Sequence, residues 1–231
     1  MKVNFSLLMV GMTAMVLSSC GGSGSNGSSD GMFGGIPETI QKYDDEKKSL
    51  NASLNESNYE KGLAKIDELK TETIAKLEKE GEALNGKELP VSDNEDLKIE
   101  TPLTLVYKDV FSNVAAVEFT LDGKIVAAKD IKIEINPSDL KGREMLGGKK
   151  TVVTAYTLVQ LELLDSEGNV VDTRAIGNLT ADNNGEEAIV KAGTAAEFIG
   201  SFPVSDKYIN VASARLAIDA TKGLTSEKME E

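Results

Sequence analysis

The densest chemistry in this chain is a set of hard oxygen donors. Asp182, Asn184, Glu186 and Glu187 surround Gly185 and offer the ligand types that calcium takes. Their spacing is not that of an EF-hand loop, whose glycine stands sixth of twelve with ligands at alternate positions. Asn, Asp and Gly are also what a tight turn demands, so a solvated turn is the preferred reading and a calcium site the alternative. Asp165, Glu167 and Asn169 read the same way, and Asp93, Glu95 and Asp96 read as a solubilising linker. Paired carboxylates are all that a glycosidase needs. No pair stands out here, and the sugar-stacking aromatics are sparse, at 5% with no tryptophan. Histidine is absent, which excludes Ser-His-Asp and Cys-His nucleophiles and the usual zinc sites. Gly147-Gly148-Lys149-Lys150-Thr151 lacks the first glycine of a phosphate loop and precedes a strand rather than a helix, so it reads as a turn. No catalytic residue, metal or cofactor is expected. Cys20 is the single cysteine, so there is no disulfide and stability must come from the core.

The surroundings of Cys20 give that thiol a role. Lys2 supplies a positive charge, and residues 5–17 form an apolar stretch of signal-peptide length, too short to span a bilayer. The stretch ends in Leu17-Ser18-Ser19-Cys20-Gly21, which resembles the lipobox of bacterial lipoproteins. The resemblance implies that residues 1–19 are removed, that the Cys20 thiol carries a diacylglycerol and that the new amine is acylated. Two or three acyl chains hold a protein on a membrane, each buried methylene contributing about 0.8 kcal/mol. Residues 20–35 continue as a Gly/Ser/Asn-rich run read as a tether, with a coil reach on the order of 20 Å. In Bacteroidetes lipoproteins an acidic cluster just after the cysteine accompanies surface export. Here the first acid is Asp30, and no aspartate follows Cys20 directly. Outer-membrane anchoring is therefore the expectation, with the periplasmic and surface faces both open. The formal charge of −13 disfavours nucleic acid and anionic headgroups as partners.

Behind these residues the hydrophobic period changes once. Over 36–88 it is helical. Pro37 suits the first turn of a helix whose stripe is Ile40, Tyr43, Leu50 and Leu54, and Ser57 to Glu60 forms a capping-box pattern. Leu63, Ile66, Ile74, Leu77 and Leu84 form a second stripe ending near Asn85-Gly86, so an antiparallel two-helix hairpin is predicted, as a stalk or leaning on the next domain. Residues 89–96 read as a linker, 97–222 as a β-sandwich and 223–231 as a polar tail. Leu97, Ile99, Leu103 and Leu105 alternate with polar residues, as do Ile131, Ile133 and Ile135. Asp122-Gly123 between two apolar runs predicts a hairpin turn, and residues 152–164, apolar on both faces, predict a central strand. Residues 165–169 turn that strand back, and a last hairpin-like pair is predicted over 188–202 and 208–218. The expected fold is mainly β, with an N-terminal α-helical hairpin followed by an immunoglobulin-like β-sandwich.

Residues 159–218 also resemble the FxLYD type of bacterial extracytoplasmic immunoglobulin-like modules. The resemblance rests on "ELLDSEGNVVDT", on Lys191-Ala192-Gly193-Thr194 leading into Phe198, and on "INVASARLAID", while "LELLD" stands where the namesake motif would be. It implies an extracytoplasmic adaptor without chemistry of its own. The expectation is a noncatalytic cell-envelope lipoprotein, bound to the membrane through lipid on Cys20, whose sandwich binds a protein or glycan partner. A carboxylate-dependent hydrolase acting on envelope or glycan substrates and a structural spacer are the alternatives.

Overall fold

The computed structural model describes residues 31–133, 152–183 and 188–227, and of these the backbone alone for 152–154, 182–183 and 220–227. Two helices open it: α1 (Ile36–Ala52) and α2 (Tyr59–Leu84). Thr39 near the start of α1 donates to the Glu80 carboxylate near the end of α2, at 3.1 and 3.2 Å, so the pair is antiparallel. Pro37 sits in the first turn, where a missing N–H costs nothing. The Ser57 capping box does not form, because α2 starts at Tyr59 with no side-chain cap. The Asn55 and Asn58 side chains take the local amides instead: Asn58 Oδ1 accepts from Asn55 N, and Asn55 Oδ1 accepts from Ser57 N and Oγ. Gly86 at φ 77° ends the second helix where the sequence placed its stop. No helix among the described residues is long and apolar enough to cross a membrane.

Eleven strands follow among the described residues: β1 (Val91–Ser92), β2 (Leu97–Val110), β3 (Val117–Ala127), β4 (Ile131–Ile133), β5 (Val152–Leu164), β6 (Val170–Thr180), β7 (Asp182–Asn183), β8 (Ala188–Val190), β9 (Glu197–Phe198), β10 (Phe202–Val204) and β11 (Ser213–Glu227). They form a five-stranded sheet β1-β11-β5-β6-β9, a three-stranded sheet β10-β3-β2 and a small sheet β4-β8-β7. The fold is thus mainly β, with two helices and several sheets. As expected, β5 is interior, with β11 on one side and β6 on the other.

One hydrophobic core draws on both helices and all three sheets. Ile36, Ile40 and Tyr43 of α1, Leu77 and Leu84 of α2, Leu97, Leu103 and Leu105 of β2, Phe119 of β3, and Val159, Leu161 and Leu163 of β5 all belong to it. The helices are therefore part of the β body rather than a stalk. Gly81 explains how closely α2 approaches: a Cβ there would stand 2.5 Å from the Tyr107 ring.

The structure corrects several expectations. Met32 and Phe33, placed in the tether by their Gly-rich surroundings, are buried, because a methionine and a phenylalanine carry more apolar surface than a tether leaves in water. Residues 89–96 are tied down rather than a free linker: β1 pairs in parallel with β11, and Asn94 receives the amides of Asp96 and Leu97 while donating to the Leu216 carbonyl. Asp122-Gly123 is not a turn. β3 runs straight through it, and Gly123, at φ 142°, sits where a Cβ would stand 2.7 Å from the Pro102 carbonyl oxygen, opposite an irregularity in β2. The β2–β3 turn is instead at 111–116, where Phe111 N bonds Ala116 O and Val114, fully buried, takes φ 60°. The predicted last hairpin is split: β8, β9 and β10 go to three different sheets, and β11 pairs with β5. Residues 223–227, assigned to a polar tail, continue β11.

Candidate functional site

The candidate site is the cluster of charged and polar side chains around Tyr208, at the 3-10 turn Asp206–Tyr208 that leads from β10 toward β11. Tyr208 is 1% exposed. Asp172 and Arg174 reach it from β6, where they lie two residues apart and so share the inner face of the strand. The Tyr208 hydroxyl donates to Asp172 Oδ2 at 2.8 Å and accepts from Arg174 Nε at 2.5 Å. Lys207 Nζ lies 2.9 Å from the same Asp172 oxygen, and Arg174 Nε 3.3 Å. Lys207 and Arg174 also stand over the Tyr208 ring, at 5.2 and 5.8 Å from its centroid. Phe33 packs on that ring at 5.5 Å and on Phe202 at 6.0 Å, and Met32 N donates to Val211 O at 3.0 Å. The first described residues of the chain are thus fixed onto this cluster.

The electrostatics suit holding more than reacting. Burial pushes the Tyr208 phenol up to about 12, the Arg174 hydrogen bond working against the shift and the Asp172 bond adding to it. The phenol stays protonated at neutral pH. Burial alone would raise the Asp172 carboxyl, but the Lys207 ammonium and the Tyr208 hydroxyl outweigh it and hold the group below its ordinary range. The result is an ionised carboxylate with a cation on it and a neutral phenol with both its hydrogen-bonding roles filled. That arrangement locks β6, the 3-10 turn and the Met32-Phe33 hook together.

Beside it opens a cleft of about 430 Å³, lined by Gly31, Glu38, the Asp165–Glu167 turn and residues 209–212. Asp165, read as a turn residue or an oxygen ligand, serves the turn. Its Oδ1 accepts the amides of Glu167 and Asn169, and Oδ2 accepts Asn169 Nδ2, bonds that lower the carboxyl's pKa. Asp93 Oδ1 caps the Ile99 amide, and Glu95 and Asp96 meet Lys129, so the third acidic cluster also protects structure.

Cys20, Asn184, Glu186, Glu187 and Gly147 to Thr151 lie outside the described residues, and Asp182 is described only as backbone in β7. Among the described residues no group of three or more acidic, His or Cys side chains is placed to hold a metal ion. The residues of the Tyr208 cluster were not singled out as a site by sequence. Their one signal is opposite charges at i and i+2 of a strand, which puts both on one face of it. Compared with known proteins, the chain matches no family model, no curated protein and no solved structure.

Proposed function

We propose that this chain is a noncatalytic, lipid-anchored protein of the bacterial cell envelope, held in the outer membrane through Cys20, whose β body is an immunoglobulin-like sandwich that binds a partner. Strand connectivity supports the sandwich reading. In immunoglobulin order, β2, β3 and β10 take the places of strands A, B and E, and β5, β6 and β11 those of C, C′ and F. Every antiparallel neighbour that this assignment requires is paired: β2 with β3, β3 with β10, β5 with β6, and β5 with β11.

The observation that carries the binding reading is the far edge of β11, where strand G of that topology would lie. Among the described residues only the two of β1 pair there, with Ala214 and Arg215, and Asn94 caps the next carbonyl at Leu216. Beyond Leu216, no strand among the described residues pairs with that edge. An extended segment of a protein partner adds to such an edge by backbone hydrogen bonds. The Tyr208 cluster supports the noncatalytic part, since its ionisable groups are saturated by one another.

Photo-crosslinking in the native envelope tests this. A crosslinker replacing Ala217 gives a discrete adduct, whereas one replacing Glu68 on α2 gives none. Absence of an Ala217 adduct overturns the edge. Release of new ends from envelope glycans by the purified protein would favour the carboxylate hydrolase instead.

A further inference from the structure

We infer that the pole bearing the Asp165–Glu167 turn and residues 209–212 faces the bilayer, and that the tip of the helical hairpin is held away from it. The inference rests on the proposed lipid on Cys20 and adds an orientation to it.

The geometry runs through the first described residues. Gly31 lies on the cleft between Glu38, the 165–167 turn and residues 209–212, and Met32 and Phe33 are fixed there by the Val211 carbonyl and the rings of Tyr208 and Phe202. The first described residues therefore stand at that pole, ahead of Gly35. From the pole α1 runs away, and α2 returns to it: a Cβ on Gly34 would touch the Leu84 side chain, and Glu80 meets Thr39. The 26 residues of α2 at about 1.5 Å each put Tyr59, at the tip, about 38 Å from Leu84, at the pole.

Eleven residue steps separate Cys20 from Gly31. Their fully extended limit is about 40 Å, and the coil reach of a Gly/Ser run of that length is about 18 Å. That is about half the pole-to-tip distance, so a lipid on Cys20 keeps the pole nearer the bilayer. The pole is acidic, through Glu38, Asp165, Glu167 and Asp206, while Lys207 is paired with Asp172. It therefore stands off anionic headgroups, and attachment comes from the acyl chains alone.

The absence of tryptophan makes the test clean, because one introduced indole is the only one. The chain from Cys20 to Glu231 is coupled through that cysteine to a maleimide lipid in phosphatidylcholine vesicles carrying a dansyl lipid. Energy transfer is read from Val170→Trp and Asn210→Trp at the pole and from Tyr59→Trp at the tip. Circular dichroism checks that each variant is folded. Transfer several-fold greater from both pole positions than from Tyr59→Trp is expected. Equal transfer, or more from the tip, overturns the orientation. Because the coupling is chemical, the outcome does not depend on natural lipidation. A chain that is never acylated in the cell would sink the lipoprotein reading while leaving this geometry intact.

Discussion

Replacing Tyr208 with phenylalanine separates one hydroxyl from one ring. The ring keeps its contacts with Phe33 and Phe202, so no large cavity opens. Lost are the 2.8 Å bond to Asp172 and the 2.5 Å bond from Arg174, each to a charged group. A hydrogen bond to a charged group contributes about 1.5–3 kcal/mol net. Both partners retain part of their satisfaction, because Asp172 still meets Lys207 and Arg174, and neither side chain is closed to water. The net loss is therefore about 1–2 kcal/mol, below the sum of two such bonds. With a urea m-value of about 2 kcal/mol/M, the unfolding midpoint falls by roughly 0.5–1 M at unchanged m. Far-UV circular dichroism is the probe. The Tyr208→Phe, Asp172→Asn double-mutant cycle reports a coupling of about 0.5 kcal/mol or more. A midpoint shift below roughly 0.2 M, or additive single effects, would refute the locking role.

Four other outcomes follow from the same structure. Phe33→Ala lowers stability by about 3–5 kcal/mol in urea unfolding, as a buried aromatic should, whereas a tether residue would give almost no change. Gly81→Ala destabilises by about 1–3 kcal/mol despite alanine's better helix propensity, because its Cβ meets the Tyr107 ring; a stabilised variant in thermal unfolding would contradict that packing. Asp172 has a folded-state pKa below its unfolded value, so its contribution is present at neutral pH and lost as pH falls through the folded value. The acid limb of the stability–pH curve is accordingly shallower in Asp172→Asn than in the parent. Tyr208 has the opposite sign: stability is full below pH 10 and declines as pH rises toward about 12. Phenolate absorbance therefore has a late-titrating component that Tyr208→Phe removes.

The parts of the fold legible in the sequence are those set by local periodicity. The stripe through Leu77 and Leu84 and the alternation of Leu97, Leu103 and Leu105 follow from side chains meeting one buried face, the stop at Gly86 from its positive φ, and the interior character of β5 from apolar residues on both its faces. What misled were residues whose local chemistry suits two structures. Asp122-Gly123 fits a hairpin turn and equally a strand in which a carbonyl comes close, and the length of β2 decided for the second. Met32 and Phe33 sat in a glycine-rich composition that hid two anchor residues. The Tyr208 cluster was harder still, because it joins residues 33, 172, 174, 207 and 208 through contacts that only the tertiary arrangement creates.

The most direct test of the central claim is the mass of the mature N-terminus recovered from the organism's own membranes. The lipoprotein account predicts a chain that begins at Cys20 and carries diacylglycerol plus an amide-linked acyl group, with Cys20→Ser retaining residues 1–19 and taking up no labelled fatty acid. A mature protein beginning elsewhere, or an unmodified Cys20, would contradict it.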